Sequence, residues 1–196
     1  RYYTPSGRCI QKPYELGKID EYEKDIINRY EHGEFYSQDS IKQDTLAYTT
    51  LNGRIVYGGG GIMPDIFVPT DTTDITPFFT KLFNSGTMYK FALRYTENNR
   101  ETLKKQGNWK TLSDYLDTQN IFEQFTAFAE KQNIKGSPYD SRTSKKRIVK
   151  QLYAYIARDV LGDDGFYPIL NNDDKCVQIA IETLQSPAEL NRILKR

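Results

Sequence analysis

The stretch SKKRIVKQLYAYIARDVLG, residues 144–162, decides the fold class that we expect for this chain. Its apolar residues recur every three or four positions and comprise Val149, Leu152, Tyr153, Ile156 and Val160. That spacing places them on one face of an α-helix, and such a face must be buried against another element. We therefore predict a helix that begins after an N-cap at Ser144 and stops at Gly162.

The same helical spacing recurs on both sides of this stretch. Further apolar stripes comprise Met88, Phe91, Ala92 and Tyr95; Ile121, Phe122, Phe125, Phe128 and Ala129; and Val177, Ala180, Ile181 and Leu184. A last helix is predicted after Ser186, because Ser-Pro-Ala-Glu puts Ser at the N-cap, Pro at the first position and Glu at the third. Several stripes joined by short polar links predict a helical bundle over residues 75–196.

The first part of the chain, residues 1–74, predicts short strands with an inserted helix. Pro5-Ser6-Gly7 has turn chemistry within an otherwise extended segment, so we expect a hairpin-like reversal over Arg1–Gln11. A helix is predicted over Ile19–Tyr30 and is ended by Gly33. Strands are predicted over Arg54–Tyr57 and Ile62–Pro69. The expected fold class is α+β, predominantly α.

Charge also differs between the two predicted domains. Residues 1–74 hold 8 Lys and Arg against 12 Asp and Glu, whereas residues 75–196 hold 19 against 14. The whole chain of 196 residues has a net charge of only +1, which argues against a dedicated nucleic-acid binder. A basic run within Arg142–Lys150 leaves binding to nucleic acid or an acidic surface as an alternative, but its charges fit the solvated first turns of a helix.

Composition narrows the chemistry further. No apolar run is long enough to cross a membrane as a helix, and we expect no signal peptide within these residues. The chain opens at Arg1 without a Met, so we expect it to be a piece of something longer. His32 is the only histidine, which rules out a metal site built on several His ligands. Cys9 and Cys176 have no metal-binding spacing, and the sequence does not decide whether they pair.

Local motifs show no catalytic machinery. Gly58-Gly59-Gly60-Gly61 is followed by Ile-Met-Pro rather than by a helix start and a lysine, so it predicts a backbone kink and not a phosphate cradle. Ser6 has no adjacent base in the sequence, and His32 is expected at an exposed helix end. The acidic pairs Asp163-Asp164 and Asp173-Asp174 lack calcium-loop spacing and predict helix capping.

Two segments carry a resemblance to a known family. They are RYYTPSGRCIQ, residues 1–11, and GGGGIMPDIFVP, residues 58–69. Together they resemble paired strands of the carboxy-terminal processing proteases, the tail-specific serine protease family. The matching motif positions include Thr4, Pro5, Ser6, Gly7 and Arg8 in the first segment and Gly61, Pro64 and Asp65 in the second. The long insert 12–57 and the helical tail resemble the Bacteroidetes-type members.

The resemblance implies a function for the chain. In that family a serine attacks the peptide carbonyl and a lysine serves as its base, and both precede the first of the two strands. No residue of this chain is therefore assigned a catalytic role, and Ser6 matches the family's turn serine. The PDZ domain would also lie upstream.

The expectation is the C-terminal, non-catalytic portion of a serine endopeptidase that cleaves proteins near their C-termini. Its substrate would be a protein or peptide, with no cofactor and no metal. The helical part would support packing or self-association, and the location would be periplasmic or in the cell envelope. The alternative is a freestanding helical protein-interaction or scaffold module with no enzymatic role.

Overall fold

The computed structural model describes residues 1–12, 15–41, 46–58 and 61–194. Within these ranges it has nine α-helices and one two-stranded antiparallel sheet, which confirms an α+β fold that is predominantly α. The helices are α1 (Ile19–Glu31), α2 (Pro77–Asn84), α3 (Thr87–Lys104), α4 (Trp109–Asp117), α5 (Ile121–Glu130), α6 (Pro138–Leu161), α7 (Asp163–Asn171), α8 (Lys175–Gln185) and α9 (Pro187–Leu194). The strands are β1 (Ala47–Thr49) and β2 (Ile55–Tyr57).

The chain divides into two compact units. One unit, which we call the helical unit, comprises Asp71–Val177. The other, which we call the mixed unit, comprises Arg1–Thr70 together with Gln178–Arg196. The assignment of residues 1–74 and 75–196 to two domains remains a prediction about how the protein is organised.

Helix α6 is the element on which the helical unit is built. It contacts α2, α3, α4, α5 and α7. The predicted start of this helix at Ser144 is wrong, because the helix begins at Pro138 with Ser137 as its N-cap. Ser137 and Pro138 supply the cap and the first helical position, and the Ser137 hydroxyl accepts from the Asp140 N–H at 3.0 Å. Ser144 lies almost two turns inside the helix and is fully buried.

The predicted apolar stripes form the core of the helical unit. Fully or nearly fully buried side chains from four helices include Met88, Phe91 and Ala92 on α3, Leu112 and Leu116 on α4, Ile121, Phe125 and Ala129 on α5, and Ile148, Leu152 and Ile156 on α6. Phe91 meets Phe125 and Phe128 edge-on, with ring centroids 5.4 and 5.5 Å apart. The periodicity therefore identified the buried faces of α3, α5 and α6, whereas Leu112, Leu116 and Ile148 belong to none of the predicted stripes.

The mixed unit contains the predicted reversal, the predicted helix and one of the two predicted strands, which lies in a hairpin that the sequence analysis did not predict. Helix α1 covers the predicted span, and Gly33 follows its C-cap with φ +79°. Strand β2 matches the prediction and pairs with β1, with Tyr48 opposite Val56. The strand predicted over Ile62–Pro69 is wrong: the backbone there is irregular, and Pro64 has no N–H to give to a ladder.

Apolar faces in the mixed unit behave differently from those in the helical unit. None of the 13 residues of α1 is buried, and Ile19 is 68% exposed. The stripe on α8 contains no buried residue, and Leu184 is 66% exposed, so the expected burial of that stripe is wrong for the described residues. The capping predictions hold at both of the last helices. Asp174 accepts from the Cys176 and Val177 N–H groups, and Ser186 accepts from the Glu189 N–H.

Candidate functional site where the two motifs meet

The first motif folds as a tight reversal. Tyr3 and Cys9 pair as an isolated antiparallel bridge, and the Thr4 N–H donates to the Arg8 carbonyl at 2.9 Å. Gly7 adopts φ +81°, a conformation that a side chain disfavours, and its N–H donates to the Thr4 carbonyl at 2.9 Å. The turn presents Arg8 as the first residue of the returning segment.

Ser6 lies within this turn as a structural residue. Its Oγ is 2.9 Å from Thr4 Oγ1, and the Thr4 hydroxyl is also 3.3 Å from the Arg8 carbonyl. His32 is exposed at the C-terminal end of α1, as predicted. The hydrogen bond between Ser6 and Thr4 stabilises the turn, and it does not activate Ser6 as a nucleophile.

The second motif is attached to the β1–β2 hairpin by an ion pair. Arg54 is the residue before β2, and its Nη2 donates a hydrogen bond to Oδ1 of Asp65. Gly61 opens the motif with φ +148° and has no heavy atom within 4 Å of an added Cβ, so its backbone conformation rather than a steric clash favours glycine. Gly59 and Gly60 lie outside the described residues.

Both motifs line one cavity of about 330 Å³ in the mixed unit. Its lining comprises Arg8, Gln38, Arg54, Ile55, Val56, Tyr57, Met63, Pro64 and Asp65. Arg8 reaches across 49 residues of sequence, and its Nη1 donates to the Tyr57 carbonyl at 3.3 Å. The structure therefore brings together Arg8, Pro64 and Asp65 of the motif residues. Thr4, Pro5, Ser6 and Gly7 form the turn that precedes Arg8.

Charge in the cavity is not balanced. In its described lining, two guanidinium groups, those of Arg8 and Arg54, accompany the single carboxylate of Asp65. The Nε atoms of both arginines are buried and have no hydrogen-bond acceptor among the described residues. Arg54 and Gln38 were not predicted as site residues, because neither lies in a recognisable motif and only the fold places them beside Arg8.

A second cavity in the mixed unit, of about 430 Å³, also has two basic side chains and one carboxylate in its lining, but its Arg29 pairs with Glu34 outside the lining, with Nε 2.7 Å from Oε2. It is lined by Tyr2, Ile10, Gln11, Lys12, Tyr22, Asp25, Ile26 and Arg29. Lys12 Nζ lies 3.0 Å from Asp25 Oδ1 and 4.9 Å from the centroid of the Tyr22 ring. We therefore regard it as a less specific candidate than the cavity between the motifs.

Most of the basic run in the helical unit is engaged in ion pairs. Lys145 pairs with Glu123 at 3.0 Å, Lys146 with Asp173 at 3.1 Å, and Arg147 with Asp74 at 2.6 Å. The hydrogen bond from Lys145 lowers the pKa of Glu123 below its usual range.

Lys150 also contacts Asp173. Burial opposes the charged form of Asp173, but hydrogen bonds from Lys150 and Lys146 lower its pKa overall. These pairs give the run a role in the packing of its own unit.

The described residues form neither a metal-binding cluster nor a membrane-spanning helix. No group of three or more His, Cys, Asp or Glu side chains in that part of the chain is arranged to hold a metal ion. Cys9 and Cys176 are both free. Among the helices in the described ranges, none has the length and apolar character needed to span a bilayer.

Comparison with known proteins gives one match. A family model described as a family of unknown function, DUF8443, matches residues 78–162. This match lies within the helical unit, covers less than half of the chain and carries no activity with it. No curated protein and no solved structure matches the chain.

Proposed function

We propose that this chain is the C-terminal, non-catalytic portion of a carboxy-terminal processing serine endopeptidase, which cleaves proteins near their C-termini. The observation that carries the proposal is the occurrence, in family order, of the segments RYYTPSGRCIQ and GIMPDIFVP at residues 1–11 and 61–69. The meeting of Arg8 with Pro64 and Asp65 at one cavity supports it, since residues more than 50 positions apart are brought together there.

In this proposal the chain contributes to the fold of the protease and supplies none of its catalytic residues. The serine nucleophile and the lysine base are supplied by residues upstream of Arg1, together with the peptide-binding PDZ domain. The reversal formed by residues 1–11 continues the sheet of the catalytic domain, because its extended arms offer backbone N–H and C=O groups to a neighbouring strand. In this proposal the protease acts in the periplasm or cell envelope.

The test has two parts. The purified chain is incubated with unfolded casein, and we expect no cleavage. The reading frame upstream of Arg1 is then determined, and we expect it to encode a serine and a lysine at the family positions. Replacing that serine with alanine in the longer protein should abolish cleavage. Serine-dependent cleavage by the chain alone, or an upstream frame without the two residues, would refute the proposal.

We also propose that the helical part self-associates. Aromatic rings on three helices of the helical unit form a continuous ladder: Tyr89 meets Tyr155 at 5.5 Å, Tyr155 stacks on Phe166 at 6.2 Å, and Phe166 meets Tyr167 at 5.2 Å. Tyr89 and Tyr167 are each about half exposed. Exposed aromatic groups of this kind supply much of the binding energy at protein interfaces.

Sedimentation velocity at micromolar concentration tests this second proposal. We expect a dimer or larger species, and we expect the double variant Tyr89→Ser, Tyr167→Ser to shift it to monomer. Tyr139→Ser is the matched control, because Tyr139 is 66% exposed but lies at the opposite end of α6 from Tyr155. A monomeric parent chain, or equal effects of the two changes, would contradict the proposal.

A further inference from the structure

The cavity shared by the two motifs contains more positive charge than its own carboxylate neutralises. Asp65 pairs with Arg54, and within the described ranges the guanidinium of Arg8 has one hydrogen bond, to the Tyr57 carbonyl. A carbonyl oxygen carries only a partial charge and does not neutralise an arginine. Among the described residues the unbalanced charge is therefore +1, and it is centred on Arg8.

The donors in the cavity are also incompletely used. An arginine has five N–H donors in a planar fork, and the buried Nε–H groups of Arg8 and Arg54 have no acceptor among the described residues. A buried donor that lacks an acceptor is unfavourable, and a ligand that accepts from it recovers that free energy on binding. The fork geometry of a guanidinium matches two oxygens held on one planar group.

The rest of the lining decides which anion fits. Ile55, Val56, Met63 and Pro64 are apolar, and no lysine accompanies the two arginines in the part of the lining that the structure describes. One carboxylate would neutralise the cavity, whereas a phosphate, at about −1.5 to −2, would leave excess negative charge beside Asp65. The apolar residues can also cover a short aliphatic stem.

From these observations we infer that the cavity between Arg8, Arg54 and Asp65 is a binding site for an aliphatic carboxylate, held by the free fork of Arg8 and by the Nε–H of Arg54. Asp65 keeps Arg54 in place from the other side. The carboxylate is carried either by a small molecule or by an acidic side chain of a protein partner. The inference does not depend on the proposed protease origin, because it requires only the residues of this cavity.

Binding is measured on the full 196-residue chain labelled with ¹⁵N, from the arginine Nε–H signals. Sodium butyrate, acetate and phosphate are titrated at constant ionic strength against chloride. We expect saturable shifts of the Arg8 and Arg54 signals at one common midpoint, with butyrate binding several-fold more tightly than acetate and with phosphate weakest. A blocked glutamate, N-acetylated and C-terminally amidated, tests the protein-partner source, and tighter binding than butyrate would favour it.

Three variants test whether binding depends on the side chains of this cavity. Arg8→Lys keeps the charge but removes the fork, so we expect binding at least about tenfold weaker. Asp65→Asn removes the competing carboxylate, so we expect binding several-fold tighter. Arg94→Lys, on α3 in the helical unit, is the control and should leave the midpoint unchanged. Shifts that do not saturate, that chloride reproduces, or that Arg8→Lys leaves unaltered would overturn the inference.

Discussion

Ser144 provides the most informative test of how the helical unit is held together. Its side chain is fully buried on α6, and its Oγ lies 2.7 Å from the Asp74 carbonyl and 2.8 Å from Thr76 Oγ1. Thr76 in turn caps α2 by accepting from the Phe79 N–H at 3.2 Å. One hydroxyl therefore links the segment before α2 to the middle of α6.

The cost of Ser144→Ala follows from these contacts. Two hydrogen bonds of about 1 kcal/mol each are lost, and a buried acceptor loses its donor, which adds up to about 1 kcal/mol. Alanine regains about 0.5 kcal/mol through its higher helix propensity. We expect the free energy of unfolding to fall by about 2 kcal/mol.

Urea unfolding followed by tryptophan fluorescence measures this change well. Trp109 is the only tryptophan, and it packs against the core of the helical unit on α4. The matched control is Ser141→Ala, one turn earlier on the same helix, whose hydroxyl has no hydrogen-bond partner among the described residues. This control should change the free energy of unfolding by less than about 0.5 kcal/mol.

A double-mutant cycle with Thr76→Val isolates the bond between the two hydroxyls. We expect the double variant to be about 1 kcal/mol more stable than the sum of the single changes predicts, because the shared hydrogen bond is lost only once. Additive effects within about 0.3 kcal/mol, or a cost of Ser144→Ala no larger than that of the control, would refute this account of the network.

Two further changes in the helical unit have definite expected signs. In Gly165→Ala, the new Cβ would lie 2.8 Å from the Ala157 carbonyl oxygen and 2.9 Å from Leu161 Cβ. The cost of overpacking, about 3 kcal/mol, should exceed the gain in helix propensity of about 1 kcal/mol. The same urea assay should therefore show destabilisation by about 2 kcal/mol. Burial raises the pKa of Asp159, whose Oδ2 has no hydrogen-bond partner among the described residues. The unfolded state therefore releases this proton at a lower pH than the folded state does, and the ionised carboxylate destabilises the fold at pH values above the raised pKa. Asp159→Asn should therefore be more stable than the parent chain near pH 7, and the difference should shrink as the pH falls towards the ordinary aspartate value of about 4 in urea unfolding curves.

Controls for these two predictions come from the same unit. Asp114→Asn changes an exposed carboxylate in the middle of α4, and its effect should stay within about 0.5 kcal/mol at every pH. Combining Ala157→Gly with Gly165→Ala removes the 3.0 Å contact between the new Cβ and Ala157 Cβ, so the double variant should be more stable than the sum of the two single changes predicts. A Gly165→Ala chain that is more stable than the parent, or an Asp159→Asn difference that does not vary with pH, would contradict the respective argument.

Local sequence determined much of the secondary structure and the core of the helical unit. Helical periodicity identified α1 and the buried faces of α3, α5 and α6, because the spacing of apolar residues along one chain is a local property. The turn at Pro5-Ser6-Gly7 and the caps at Asp174 and Ser186 were equally predictable, since a side chain there bonds to a backbone group only a few residues away.

Only the tertiary structure determined the roles of residues whose hydrogen-bond partners lie far away in the sequence. Ser144 resembled an N-cap in the sequence, but it is an internal buried residue because Ser137 and Pro138 begin the helix and Asp74 and Thr76 receive its hydroxyl. Residues 62–69 have the composition of a strand, yet a strand exists only where another segment accepts its backbone hydrogen bonds, and none does so among the described residues.

The candidate site shows the same division. The turn that carries Arg8 was predictable from its own sequence, and the resemblance singled out Asp65. Arg54 became recognisable only when the fold placed it against Asp65, 11 residues away, in the cavity that Arg8 enters. Charge balance in a cavity depends on distances in space, and the order of residues along a chain does not specify those distances until the chain is folded.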